Sequence, residues 1–559
     1  MDLRSTGFDE TKDPDGTAVV EVGTYRISQP PAEQQRKEAT NFVANKRYHG
    51  TRTPPQWYPP MLIQDCKDRF GYMFPTLVRG GLEYTPENRA LLEELGDIMG
   101  DKDGGPGQNN SSLPAGYTYL GQFIDHDITL DVFSNINEAQ SANSIPNMRT
   151  PILDLDAVYG RGPALDTFLY DHSFPAGDPR RGVKMLLGTN RNTGNGGPLK
   201  ADDSESLTTN FDVPRTADQT AIIGDPRNDE NLLVVQLHHA FLRFHNAVVE
   251  KLITDKGGNL TSTEQVNLFS EAKRIVLHHY QWVVFNDFVR RIARADVVDD
   301  VVKKGVKVFV NPQFIMPVEF SVAAYRFGHS LIRDQYFVNF SLHGNGPTPP
   351  FLNGKAATLG QIFEFNRPPR LPVFTNWVVD FNLFFEARPL PNRNGVRFNN
   401  ARKFDSKIAK GLEELPGEPD NFMKMLAQRN LVRSLALGVP MGQAIARYLG
   451  VPVLTEAELL AGAGLAETAL FKKFDGLLLR KTPLWFYILK EAEVRENGER
   501  LGEVGSRIVA ETFWRILKED KQSFLYVRNF KPSLPRFGGK PAGDFDMADL
   551  LNFAGVLQQ

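Results

Sequence analysis

Residues 224–252 read GDPRNDENLLVVQLHHAFLRFHNAVVEKL. From Leu232 the apolar positions Leu233, Leu237, Ala240, Phe241, Phe244, Val248 and Leu252 fall on one face of a helical period. The polar run before them, Gly224–Glu230, reads as a helix entry with Arg227 near the first turn, and its plain alternative is an N-terminal cap with solvated charges. Outward from this helix the period stays helical. Ser262 followed by Gln265 has capping-box form and opens a second long helix that runs to Ile292. Further helices are predicted over Glu319–Arg333, Phe422–Leu437, Thr482–Val494, Val504–Lys518 and Asp546–Phe553. Strand signals are few and short, such as Val306–Val310, and no fixed-period repeat is present. The predicted class is mainly α, with long ordered loops and few short strands.

The chain of 559 residues is 41% hydrophobic and 23% charged, enough to bury a sizeable core and too apolar for disorder. A net charge of −3 gives no electrostatic case for nucleic acid. The lone cysteine, Cys66, cannot form an internal disulfide and reads as inert. No apolar run reaches the ~18 residues of a membrane span. The first residues, Met1–Gly7, lack a signal-peptide core. These features predict a soluble, cytoplasmic protein. The 39 phenylalanines fit a large apolar interior that could hold a flat cofactor. Proline pairs at 30–31, 54–55 and 59–60 break any long element near the N-terminus. Polar loops are predicted over 101–112, 188–203 and 343–355. The expected organisation is an irregular arm over residues 1–112 packed on one large domain over 113–559.

Three segments carry candidate chemistry. GQFIDHD at 121–127 sets His126 between Asp125 and Asp127. GDPRNDE at 224–230 puts Arg227 and Glu230 at a helix entry. YRFGHS at 325–330 places Arg326 and His329 three apart on one helical face, with Gly328 permitting close approach of something bulky. His238, His239, His245, His278 and His279 show no zinc-binding spacing and read as packed or surface histidines.

Taken together with RTPILDLDAVYG at 149–160, LHHAFLRFHN at 237–246 and Asn430-Leu431-Val432-Arg433-Ser434, these segments resemble the animal-type haem peroxidases, a superfamily that also holds cyclooxygenases and fatty-acid dioxygenases. The similarity runs in the family's order from about Leu113 to the C-terminal region. The single cysteine looks more like a microbial or non-secretory branch. The resemblance implies a single haem peroxidase domain. It implies reduction of hydrogen peroxide through a ferryl intermediate and oxidation of a small organic or (pseudo)halide donor.

The resemblance also assigns residues. His329 would ligate the haem iron, with Asn430 accepting its other ring N–H. Arg326 would lie near a haem propionate. After Arg433-Ser434 the family usually carries a charged segment, whereas this chain reads Leu435-Ala436-Leu437-Gly438. On the distal side His126 would be the acid–base group, Gln122 would orient peroxide or halide, and Arg227 would stabilise developing charge. Asp125 and Glu230 match the carboxylates that form haem esters, so haem b could be covalently held. Asn231 stands where a methionine would add a sulfonium link. Asp127, Thr150, Ile152 through its carbonyl, Asp154 and Asp156 match a calcium-binding set of hard oxygens. Tyr159, in the same motif, reads as core.

Fatty-acid dioxygenases of the superfamily use a tyrosine three residues before the iron-binding histidine. Here that position is Arg326, and Tyr325 is four before. On an α-helix one residue turns a side chain by about 100°, so Tyr325 is expected to face away from the pocket. That favours a peroxidase over a dioxygenase, and the retained polar set argues against a non-enzymatic haem-fold module.

Overall fold

Asn231 starts the central helix, its side-chain oxygen accepting the N–H groups of Leu233 and Val234 at 3.1 Å each. In the computed structural model this helix, α3, spans Leu232–Asp255. The residues described are 68–101, 109–190, 210–311, 313–342, 352, 354–367, 370–390, 395–415, 421–537 and 543–557, with strand backbone at 11–12, 18–22 and 25–29. Cys66, most of the three predicted polar loops and the proline-rich N-terminal stretch lie outside them. Helix α3 is buried on nearly every side, Val234, Val235 and Leu242 as well as the predicted face. It is therefore the axis of the core rather than a surface element.

Around it pack α2 (Gly116–Ile128) and α4 (Ser262–Trp282), while α1 (Pro86–Met99) packs instead on the helix at Leu426–Ala436. Phe123 of α2 stacks on Phe241 of α3 at 4.6 Å, and Tyr280 of α4 meets both rings edge-on. These aromatic contacts fix the distal helix against the core. Helix α4 is capped one residue earlier than predicted: Thr261 and Glu264 form the capping box, not Ser262 and Gln265. Past Trp282 the helical run continues as a π-helix over Val283–Val289, then one α turn at Arg290–Ile292.

Two predicted elements differ in kind. The segment expected as a helix over Glu319–Arg333 is a π turn at Glu319–Ala323 followed by a 3₁₀ helix at Ala324–His329, and it ends there. Val306–Val310 forms no strand. The buried Glu511 carboxylate accepts the backbone N–H groups of Lys307, Val308 and Phe309, satisfying donors that a strand ladder would otherwise use. The remaining predicted helices are present, as Leu426–Ala436 (α5), Leu484–Arg495 (α6), Glu503–Glu519 (α7) and Met547–Phe553 (α8).

Helix α1 lies in the stretch read as irregular. Thr85 caps it and Pro86 opens it, and it buries Leu91, Leu92, Leu95 and Met99. It packs so closely on α5 that a Cβ at Gly96 would sit 2.7 Å from the backbone nitrogen of Gln428. Short two-stranded ladders clip loops to the helices. Asn110–Pro114 pairs antiparallel with Asn400–Arg402, and Gly100–Asp101 pairs parallel with Ile408–Ala409. The ends of the predicted 101–112 loop are thus strand.

Candidate active site

Helix α2 presents Gln122 and His126, four residues apart, on one face, with Asp125 beside them. His126 is fully buried, and its Nδ1 lies 2.8 Å from Asn228 Oδ1. The Asn228 amide nitrogen lies 3.0 Å from Nδ1 of His238, on α3. An amide oxygen can only accept, so His126 donates from Nδ1 and Nε2 is its basic nitrogen. Asn228 in turn donates to His238, which leaves the His238 proton on Nε2. Burial and the nearby Arg227 cation lower the His126 pKa to about 4, so the ring is neutral at physiological pH.

Arg227 sits on the short 3₁₀ turn Pro226–Asp229, capped by Asp225. Its guanidinium grips Asp225 (2.7 Å) and donates to the His126 carbonyl at 2.9 Å. Asp225 also pairs with Arg149, and Arg149 pairs with Asp156 at 3.0 Å. One buried ionic chain therefore joins the distal helix to the Asp154–Asp156 loop.

Across an open cleft stands His329, at the end of the 3₁₀ helix. Its Nδ1 meets the Asn430 amide at 2.7 Å, and Trp485 packs edge-on against the ring. As placed, the amide nitrogen donates to Nδ1. The opposite amide rotamer accepts an Nδ1–H and leaves the Nε2 lone pair for a metal, the arrangement an iron ligand needs. Burial, then Arg326 and Arg429, hold the His329 pKa well below the ordinary value, so the ring is neutral, as ligation also requires. The Trp485 indole donates to the Arg326 carbonyl at 3.1 Å.

The cleft and its mouth together hold about 870 Å³ of space free of protein atoms, part of it open to solvent. Gln122, Asp125 and Glu230 line one side, Arg326, Gly328 and His329 the other, with Ile332, Leu359 and Phe363 among the apolar walls. His126 and Arg227 stand behind this lining rather than in it, and Arg227 faces a smaller cavity shared with Arg326 and Arg433. A Cβ added to Gly328 would meet nothing within 4 Å. Glu230 is buried, its Oε1 has no hydrogen-bond partner, and burial lifts its pKa to about 8. Asp125, in contrast, is engaged by Thr129 (2.9 Å) and by Arg326 (3.1 Å). A wide apolar slot, a neutral imidazole at one wall and an orphaned carboxyl at its edge fit a flat iron porphyrin.

Tyr325 also lines the cleft, contrary to the expectation from its spacing. The backbone there is 3₁₀ after a π turn, so the α-helical rotation per residue does not apply. Its hydroxyl donates to the Gly121 carbonyl at 3.1 Å and its ring stacks on Phe320. Tyr159 is core, as expected, its hydroxyl 3.1 Å from His245 Nδ1.

On the far side of α2, Asp127, Asp154 and Asp156 bring carboxylate oxygens within 4.8 Å of one another. Asp127 Oδ1 and Asp156 Oδ1 are buried with no hydrogen-bond partner. Burial and mutual repulsion raise all three pKa values, that of Asp154 to about 7. Orphaned acid oxygens packed so tightly suit a hard divalent cation. Thr150 and Ile152 are on the same loop, the Ile152 N–H donating to the Thr150 carbonyl.

Residues not singled out from sequence are Asn228, His238, Asp225, Arg149 and Trp485. Asn228 and Asp225 lie inside the quoted GDPRNDE run, so the motif held them. His238 and Arg149 likewise lie inside the quoted LHHAFLRFHN and RTPILDLDAVYG runs, and nothing in the sequence tied Trp485 to the site.

Comparison with known proteins bears on the family and the fold. The family model described as animal haem peroxidase matches residues 134–533. The chain belongs to the animal haem peroxidase family, which implies haem as its cofactor. A peroxidase-like protein of Margaritifera margaritifera is 35% identical over 118 residues, 20% of this chain and 14% of that protein. Chorion peroxidase of Aedes aegypti is 26% identical over 189 residues, 30% of this chain and 22% of that protein. The matched regions thus span less than a quarter of these curated relatives. Among solved structures, peroxidase A from Dictyostelium discoideum superposes with a TM-score of 0.52 at 16% identity, covering 82% of this chain and 87% of that one. Fatty acid alpha-dioxygenase from Arabidopsis thaliana gives 0.52 at 13% identity, covering 84% and 72%. At these identities the structures establish a shared fold. Among the described residues no helix is long and apolar enough to cross a membrane.

Proposed function

We infer that this protein is a peroxidase that reduces hydrogen peroxide at a haem held by His329 and oxidises a small organic or (pseudo)halide donor. The observation that carries this reading is the His126–Asn228 couple. It supplies a buried, neutral imidazole whose tautomer is fixed with the basic nitrogen at Nε2, which is what a peroxide-deprotonating base needs. Haem would supply the iron that receives the peroxide oxygen and stores its oxidising equivalents. His126 would take the proton from one peroxide oxygen and return it to the other. Gln122 would orient the peroxide, and Arg227, through the His126 carbonyl, would hold that imidazole in place. The curated peroxidase relatives support the same reading.

A second reading, a fatty-acid dioxygenase, is favoured by one observation: Tyr325 lines the cleft. An absorption spectrum of the purified protein, then peroxide-dependent oxidation of a phenolic dye against oxygen uptake with linoleate, separates the two. Dye oxidation without oxygen uptake is the expected result, and oxygen uptake without peroxide would overturn it. Denaturing chromatography after brief peroxide treatment reports whether Asp125 and Glu230 esterify the haem. Glu230, neutral below its raised pKa, held by Gln122 at Oε2 only and unpartnered at Oε1, is the stronger candidate of the two.

The pH profile tests His126 directly. Its folded pKa is about 4, so the base is neutral above that pH and protonated below it. The rate of reaction with peroxide should stay flat from pH 8 to about 5 and fall as pH drops through 4. A limb near the unperturbed ~6.5 of histidine would show that another group, or a less buried His126, is the base. The stability sign runs the same way. Between about pH 4 and 6.5 the unfolded chain binds the proton that folded His126 refuses, so stability contributed by this residue rises with pH across that window.

We assign the Asp127–Asp154–Asp156 cluster to calcium. Calcium would relieve the repulsion among these acids, and Tyr280 already donates to Asp127 at 3.0 Å. Prolonged chelation should lower the melting temperature by several degrees and reduce peroxidase activity, because Asp156 connects through Arg149 and Asp225 to Arg227. Active, unchelated protein that contains no calcium on metal analysis would refute the assignment.

A further inference from the structure

Three tyrosines line the cleft: Tyr117, Tyr119 and Tyr325. They differ in what can take the phenolic proton. The Tyr325 hydroxyl donates to a backbone carbonyl, which cannot accept a proton outright. Tyr119 meets Tyr336 ring edge to ring face, with no carboxylate at its hydroxyl. Tyr117 donates a 2.7 Å hydrogen bond to the Asp287 carboxylate, and both residues are buried, at 3% and 6% exposure.

Asp287 lies on the π-helical segment Val283–Val289. Such segments recur at functional sites because they re-aim side chains. Here the segment presents Asp287 inward to Tyr117 while also lining an open groove on the other side. That groove is formed by Trp282, Asn286, Arg290, Arg291, Asp544 and Phe545 together with Asp287. Arg291 donates to Asp287 at 2.5 Å, and its guanidinium lies 4.8 Å over the Tyr117 ring. Tyr117 thus touches the haem cleft on one side and two groove residues on the other.

We propose that Tyr117 and Asp287 form a proton-coupled electron relay through which a phenolic donor in the Trp282 groove reduces the peroxide-oxidised haem site. The proposal rests on the peroxidase reading above. One electron leaves Tyr117 for the haem site while its O–H bond breaks and the proton passes to Asp287, leaving a neutral phenoxyl radical. The donor then returns one electron, Asp287 returns the proton, and the donor loses its own proton to solvent as a phenoxyl. Two such cycles match the two electrons and two protons that convert one hydrogen peroxide to two waters. Burial raises the Asp287 pKa against the opposing pull of Arg291, which eases its role as transient proton holder. The half-buried Trp282 supplies an aromatic surface for a phenol, and Arg291 gives the Asp287 carboxylate a counter-charge.

The test is freeze-quench electron paramagnetic resonance of the haem-loaded protein after one equivalent of hydrogen peroxide. A tyrosyl signal that narrows in protein grown on ring-deuterated tyrosine is expected. Tyr117→Phe should lower its yield at least tenfold and should lower the oxidation rate of N-acetyltyrosinamide to the same degree. Peptide mapping of wild-type protein turned over with that probe should find phenolic coupling at Tyr117. Asp287→Asn, which keeps the shape but removes the proton acceptor, should also reduce the signal. An undiminished tyrosyl signal in haem-loaded Tyr117→Phe overturns the relay and leaves the peroxidase reading standing. A wild type that binds no haem overturns both.

Discussion

His126→Ala protein is expected to load haem as the wild type does and to react with hydrogen peroxide roughly 10²–10⁴-fold more slowly, the usual worth of a general acid–base group. The physical reason is specific to this site. The imidazole is buried, neutral and held by Asn228 in the tautomer that leaves Nε2 basic, so no water-exposed group can stand in for it. Asn228→Leu keeps the ring and removes what orients it, and it should give a smaller loss in the same step. Arg227→Ala should also slow that step, because Arg227 holds the His126 carbonyl at 2.9 Å. Stopped-flow mixing with peroxide measures all three. A His126→Ala protein as fast as wild type would remove the acid–base role.

His329→Ala is expected to abolish stable haem binding. Removing a residue that merely orients a metal-binding histidine typically costs ~10–100-fold in metal affinity. Asn430→Ala should fall in that range, and loss of His329 itself should exceed it. The haem-to-protein ratio after gel filtration, with the Soret absorption, gives the result directly. The two variants also distinguish ligation from packing. His329 is half-buried and packs edge-on against Trp485, so a purely structural role would lower the melting temperature of the haem-free protein as well. Unchanged haem content and spectrum in His329→Ala would refute the ligand assignment.

Much of this was legible before any coordinates. The period of residues 232–252 determined the central helix, because apolar positions that keep to one face over so long a stretch fit a helical repeat and no strand. The six motif segments named the family, and the match over residues 134–533 agrees. Short-range chemistry was read less well. The capping box moved by one residue, since Ser262 and Thr261 are equivalent as sequence and differ only in which hydroxyl meets the N3 amide. Helix α1 was hidden among proline pairs, although its own Pro86 is at the one helical position where proline costs nothing.

The sequence by itself determined the helical class, the central helix and the identities of the residues that flank the cleft, because periodicity and motif order are local properties of the chain. Only the tertiary structure decided what those residues touch. It joined Asn228 to His238 across the start of α3, and Arg149 to Asp225 across 76 positions. It set His126 behind the cleft wall and turned Tyr325 into it, because π and 3₁₀ turns leave no periodic trace in five or six residues. It also brought Asp287 against Tyr117 from 170 positions away. Hydrogen bonds between residues so far apart depend on how helices pack, and packing is settled by the whole core rather than by any one stretch of sequence.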